Sequence, residues 1–283
     1  MRILLLILFP ALICSQELDS LKSISGTYLM SWADTLTTGD PVSTWGNAVG
    51  DGAGWVQSNA TKRAALLIDT LYGHSALELE LADYYQSGEN GDYNFLHNGT
   101  GGTILLVMQN PHYAGNAHFL GTGENSTQPG FLIKFGVSVN QLSYYLYNGS
   151  ATIINGQGLT LDDTTPTWHI MSFVVDDSLE IKIDDGNINK FLPTGAPGGS
   201  SVRKLATSLP TSLTNGLRGQ LAFIQVISRS LSDVEINQIH KTLYNIFFTE
   251  SPVDNDIVDI DSNQFSSFQS ISGVNQLNKI NEF

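Results

Sequence analysis

Cysteine and positive charge are what this sequence has least of, and each shortage excludes something. A lone cysteine, Cys14, cannot form an internal disulfide, so the fold must rest on a packed core and hydrogen bonds. It does not fix the compartment, because exported proteins need not carry disulfides. Thirteen Lys and Arg stand against 27 Asp and Glu, for a formal net charge of −14. Polyanions are bound by cations that displace counterions, and no basic cluster relieves the negative field here. Nucleic acid and anionic membrane surfaces are therefore disfavoured as partners. Charge of either sign is scarce at 14% of residues. Asn, Gly, Ser and Thr take its place, a mixture suited to short strands joined by turns.

Long hydrophobic runs are also missing. The apolar stretch Ile3–Cys14 has twelve residues, whereas a membrane-spanning helix needs about 20. With Met1-Arg2 before it and Ser15-Gln16-Glu17 after it, the stretch reads as a secretory signal cleaved after Ser15. Acylation at Cys14 is opposed by Ile13, where a lipoprotein motif wants a small residue. The alternative is that residues 1–15 stay as a retained apolar segment in a protein that assembles without export. Residues 16–24 then read as a linker, 25–248 as the folded domain and 249–283 as an acidic polar tail.

What is present is strand and turn. A hydrophobic content of 41% over 283 residues suffices for one all-β domain. From about Tyr28 to Ile227, short apolar runs alternate with Gly, Asn, Asp and Pro. Phe131, Ile133, Phe135 and Val137 share one face with Lys134 opposite; Leu179, Ile181 and Ile183 share one with Glu180 and Lys182 opposite. Strands with one buried and one wet face predict antiparallel sheets in a sandwich. Ile104–Met108, apolar on both faces, reads as a central strand. Asn148-Gly149 and Asp184-Asp185-Gly186 read as tight turns supplying positive φ. One helix is predicted, opening on the capping box Ser232-Asp-Val-Glu235, with Ile236, Ile239, Leu243 and Ile246 on one face. The tail holds Asp254, Asp256, Asp259, Asp261 and Glu282 against Lys279 alone, too polar to build its own core.

Five segments in order resemble the concanavalin A-like lectin/glucanase superfamily, specifically LamG-like jelly-roll modules of secreted bacterial and phage proteins. They are Tyr28-Leu-Met-Ser-Trp32-Ala-Asp34; Pro41-Val-Ser-Thr-Trp45-Gly-Asn47 running to Trp55-Val56-Gln57, with Asn47 where the family pattern has Asp; Gly73–Leu79; Trp168-His169 with Phe173–Val175 and Ile183-Asp-Asp-Gly186; and Gly219–Ile227 with Leu231–Ile236. The resemblance covers roughly residues 25–248. It implies a two-sheet jelly-roll sandwich with a late helix, and no particular function, since this fold carries lectins, hydrolases, adhesion modules and virion components. Trp32, Trp45 and Trp168 are expected in the core, each placing its indole N–H on a carbonyl. For Trp55, in a Gly-rich stretch, burial and exposure are both left open.

Chemistry is harder to find. The superfamily's retaining glucanases carry two glutamates and an aspartate on alternate strand positions, with the catalytic carboxylates about 5–5.5 Å apart. Glu78 with Glu80, and Glu180 with Asp184, come nearest, and neither completes the trio. No nucleophile elbow or zinc-binding motif occurs, and His112 with His118 is the nearest histidine pair. An enzyme is not expected. Among cofactors only Ca²⁺ is considered: some LamG-like modules hold one at the sandwich rim, and Asp51, Asp92, Asn116 and Asp162-Asp163 offer oxygen ligands. For binding, the loop Asn110–Asn116 with His112, Tyr113 and Asn116 joins the strand Leu142–Tyr147. There alternation buries Tyr144 and exposes Tyr145 and Tyr147. Aromatic rings stack on sugars and amides orient them. Sequons stand at Asn59, Asn98, Asn125 and Asn148, to be glycosylated only where the source permits. The sequence thus points to a non-catalytic extracellular module recognising a glycan or surface polymer. The alternative is a structural or decoration component of an extracellular or virion assembly, docking partners through its termini.

Overall fold

A computed structural model describes residues 18–36, 41–49, 52–80, 83–109, 117–123, 125–135, 141–161, 166–201, 203–207 and 219–249. The described strands form two antiparallel sheets, each of eight strands. The first runs, edge to edge, β14 (Asn189–Phe191), β13 (Leu179–Ile183), β12 (Trp168–Val175), β7 (Gly102–Gln109), β16 (Gly219–Ile227), β5 (His74–Leu79) and β4 (Ala65–Leu71), with β1 (Thr27–Trp32) also paired to β16. The second runs β11 (Thr152–Thr160), β10 (Gln141–Asn148), β9 (Pro129–Phe135), β8 (Ala117–Gly121), β15 (Leu205–Thr207), β6 (Tyr85–Ser87), β3 (Trp55–Val56) and β2 (Thr44–Trp45). This is the sandwich that the alternation predicts, and it is consistent with a jelly roll.

Alternation places the core. Ile104, Leu106 and Met108 of β7 point between the sheets, where they meet Phe131, Ile133 and Phe135 of β9. Tyr144 carries the inter-sheet packing further. Its ring stacks on Phe131 (5.9 Å, 9°) and on Phe173 of the opposite sheet (6.0 Å, 26°). Leu105 and Val107 point the other way, into a second cluster beneath the C-terminal helix. The central strand is therefore apolar on both faces because both are covered.

That helix, α1 (Asp233–Phe248), starts on the predicted capping box. Glu235 N–H donates to the Ser232 hydroxyl and Ser232 N–H to the Glu235 carboxylate. Arg229 bonds the same carboxylate at 2.7 Å. These contacts hold the Glu235 pKa down at about 2. Ile236, Ile239, Leu243 and Ile246 are buried as predicted, together with His240 and Phe247.

Several expectations are corrected. Within the segment read as a linker, 18–22 are helical, Leu21 is buried in the second cluster, and its carbonyl takes a bond from Gln225 Nε2 at 2.9 Å. Trp55 is fully buried and stacks on its cross-strand partner Trp45 at 6.5 Å. Among the described residues neither indole N–H of that pair finds an acceptor, contrary to the carbonyl partners expected. Each ring is shielded by the other. Lys182, expected on a wet face, is buried, and its amine donates to Gly186 O at 2.6 Å. At Asn148-Gly149 the positive φ falls on Gly149 as predicted, but in the 184–186 turn it falls on Asp184 (φ 50°). The retained-or-cleaved segment 1–15, Val137 and the tail from 250 lie outside the described residues.

Candidate functional site

The outward face of the second sheet carries the tyrosines singled out from the sequence. On β10, Tyr145 and Tyr147 point away from the core, with their rings stacked at 6.1 Å and 13°. Lys134 of β9 sets its ammonium 4.3 Å from the Tyr145 ring centroid, within cation–π range. In register, Tyr145 lies between Leu132 and Asn155, and Tyr147 lies opposite Gly130. Both tyrosines are less open than expected: Tyr145 is half-buried and Tyr147 only 5% exposed. Gly130 presents no side chain, so the Tyr147 ring has room to settle against Leu132 and Ala206. Tyr144 is buried as expected, and burial pushes its phenol pKa up. His112, Tyr113 and Asn116 lie outside the described residues, as do Asp51, Asp162 and Asp163.

Several of the other candidates are tied into structural bonds. Glu180 is ion-paired to Lys190 at 2.6 Å. Asp184 accepts from His169 Nδ1 at 2.7 Å and from the Ile170 N–H at 2.8 Å. Glu78 lies opposite Gln220, and Glu80 sits past the strand end with its N–H on the Asp83 carboxylate. Desolvation, with Glu80 and Glu78 nearby, raises the Asp83 pKa. Asp92 caps its own loop by accepting from Glu89 N–H at 2.7 Å. Among the described residues no three His, Cys, Asp or Glu side chains gather as a metal site would require. In all four sequons the Asn Oδ1 accepts both the hydroxyl and the N–H of the residue two positions on. Asn148 differs in that its Nδ2 also donates, to Ala196 O at 3.2 Å.

Sequence reasoning missed a cleft on the other sheet. Helix α1 lies across the outward faces of β12 and β16 and stops short of covering β13. The gap, about 650 Å³, is walled on the sheet side by Trp168, Ile170 and Lys182, and on the helix side by Asn237, Lys241, Tyr244 and Phe248. Positions 237, 241, 244 and 248 fall on one stripe by helical spacing. Asp184 and Asp185 close the end at the hairpin turn. Asp184 is the joint of the site. Besides the two carboxylate bonds, its N–H donates to Ile170 O and its carbonyl accepts from His240 Nδ1 at 2.8 Å. That bond fixes the His240 tautomer, leaving Nε2 to accept the Ser172 hydroxyl at 3.1 Å. Burial, assisted by nearby Lys182, holds the His240 pKa down at about 4. Four bonds in one turn offset the strain of a positive φ at a residue bearing a side chain. Trp168, assigned to the core from sequence, is half-buried and faces this cleft. The signal missed was the polar stripe Asn237-Lys241 continuing into aromatic Tyr244 and Phe248.

No family model matches the chain, and no curated protein matches it. Solved structures do. The binding domain of Paraclostridial Mosquitocidal Protein 1 superposes with a TM-score of 0.55 at 12% identity, over 78% of this chain and 53% of that one. The binding domain of Botulinum Neurotoxin DC in complex with SialylT gives 0.52 at 11%, over 77% and 52%. A mutant α-L-arabinofuranosidase soaked with 4-nitrophenyl α-L-arabinofuranoside gives 0.53 at 12%, over 80% and 60%. The chain therefore spans about half the length of the binding domains it resembles. At such identities the likeness is one of fold.

Proposed function

We propose that this chain is a non-catalytic binding module that acts outside the cell and recognises a glycan or surface polymer through the outward face of its second sheet. The observation that carries the reading is the half-buried Tyr145 ring, backed by buried Tyr147 and with Lys134 set over it. A ring held rigid by its stacked neighbour offers an apolar platform for a sugar ring. Two further observations support it. Of the carboxylates nearest to a hydrolase pattern, Asp184 is committed to His169 and the Ile170 N–H, and Glu180 to Lys190. Two of the structural neighbours are binding domains, one of them in complex with SialylT. Export is proposed from the Ile3–Cys14 segment, and the LamG-like assignment from the five sequence segments. No helix among the described residues is long and apolar enough to cross a membrane.

The test is a glycan array probed with the full chain and with Tyr145→Ala. The expected outcome is retention of a restricted set of glycans, lost by about tenfold or more in the variant. Retention of no glycan, or release of sugar from a retained one, overturns the reading.

A further inference from the structure

We propose that the cleft between α1 and strands β12 and β13 is a second binding site, for a neutral saccharide. This goes beyond the reading above, since the tyrosine face lies on the other sheet. Size comes first: about 650 Å³ falls within the roughly 300–1,000 Å³ of small-molecule sites. Its walls then set the chemistry. Tyr244 and Phe248 are parallel within 3° at 5.6 Å, an offset stack that holds the outer ring rigid, and Tyr244 is 55% exposed. Trp168 and Ile170 line the strand side. An aromatic platform left open to solvent suits a ligand with an apolar face.

Polar groups narrow the choice. Lys182 is tied to Gly186 O, and Asp184 to His169 and Ile170. Asp185, Asn237 and Lys241 make no such bond among the described residues and remain available. One accepts only, one donates only, and the amide does both. A purely apolar ligand would bury Asp185 and Lys241 unsatisfied, which is costly. Sugar hydroxyls both donate and accept, so they satisfy all three. The charges balance, Asp184 and Asp185 against Lys182 and Lys241, so neither an anion nor a cation meets a favourable net charge. A pyranose, with its C–H face on the Tyr244 ring, meets every condition. The site is also preorganised: His240 pins α1 to Asp184 and Ser172, and His74 contacts the Ile246 carbonyl. A rigid cleft gives up little freedom on binding.

The test uses the full chain and four neutral probes: cellotetraose, maltotetraose, laminaritetraose and chitotetraose. Binding is followed by calorimetry and by NMR signals of Trp168 and Tyr244. At least one probe is expected to bind and shift both signals. Tyr244→Ala and Asp185→Ala, both at exposed positions and checked for unchanged melting, should weaken it by about tenfold. Tyr145→Ala should leave cleft affinity unchanged, so a failure of the sheet-face reading is distinguishable from a failure of this one. The inference is overturned if no probe shifts the Trp168 signal, or if only Tyr145→Ala weakens binding. Tighter binding of a sialylated probe than of its neutral counterpart would overturn it as well.

Discussion

Asn47 shows why one atom decides the residue. Its Oδ1 accepts from Met30 N–H at 2.9 Å and Val49 N–H at 3.2 Å, while its Nδ2 donates to Gly52 O at 2.6 Å and Tyr28 O at 3.3 Å. The amide thus fastens the loop after β2 to strand β1 with donors and acceptors together. The family pattern it resembles has Asp here, yet a carboxylate would turn two carbonyl contacts into oxygen–oxygen repulsions. Asn47→Asp is expected to lower stability by about 1.5–3 kcal/mol in urea unfolding, since buried acceptors are left unmet. Unchanged stability would mean that the loop rearranges freely. The sequence announced Asn47 only as a departure from a pattern, because what its amide touches is set by two strands meeting. The sequons were equally half-legible. Asn-x-Ser/Thr was visible, but not that each of the four closes a turn through the Ser or Thr hydroxyl.

Helix α1 was legible in its start and its buried stripe, because a capping box and a 3.6-residue period are local signals. What it rests on was not, and neither was the pin at its far end. His74 on β5 places Nδ1 2.6 Å from the Asp34 carboxylate and Nε2 2.7 Å from the Ile246 carbonyl. Both partners are acceptors, so both contacts are hydrogen bonds only when both nitrogens carry protons. Burial works against the imidazolium, but the Asp34 carboxylate and the helix-end carbonyl outweigh it and hold the His74 pKa above its ordinary value. Asp34 is the charged group facing it, and its own pKa is lowered despite burial by His74 and the Ser75 N–H. A raised histidine contributes stability that is complete below the unfolded pKa of about 6.5 and is lost as pH rises through the folded value. The amides of the last helical turn, 245–248, should therefore exchange faster above that value than intrinsic rates explain. His74→Gln, which cannot titrate, should abolish the extra pH dependence. If the wild-type dependence persists in His74→Gln, the pin is not the cause.

Over the whole molecule, alternation in single strands made the sandwich legible, while strand order was not. Strand β16 pairs with β1, β5 and β7, and nothing local in Gly219–Ile227 names partners so distant in sequence. Burial that depends on such pairing was undecided at Trp55 and misjudged at Lys182 for the same reason. Two buried histidines give this global packing a measurable signature. His97 is fully buried, and among the described residues neither ring nitrogen reaches a partner outside its own backbone, so desolvation holds its pKa down at about 4. His240 is held at about 4 as well. Both take up protons in the unfolded chain near pH 6.5 but resist them when folded. Stability is therefore fully present above about pH 6.5 and falls until about pH 4, each histidine contributing about 1.4 kcal/mol per pH unit at most. Below about pH 6 His74 does not interfere, because there it is protonated in both states, and nearer pH 7 it acts in the opposite sense. Glu235, with a folded pKa of about 2, acts mainly at still lower pH. Urea midpoints measured between pH 7 and pH 4.5 should fall steeply. His97→Leu removes one of the two groups and its unmet nitrogens, so it should be as stable as wild type or more so at pH 7 and lose stability at about half the slope on acidification. An unaltered acid slope in His97→Leu would show that the ring is not held neutral in the folded protein.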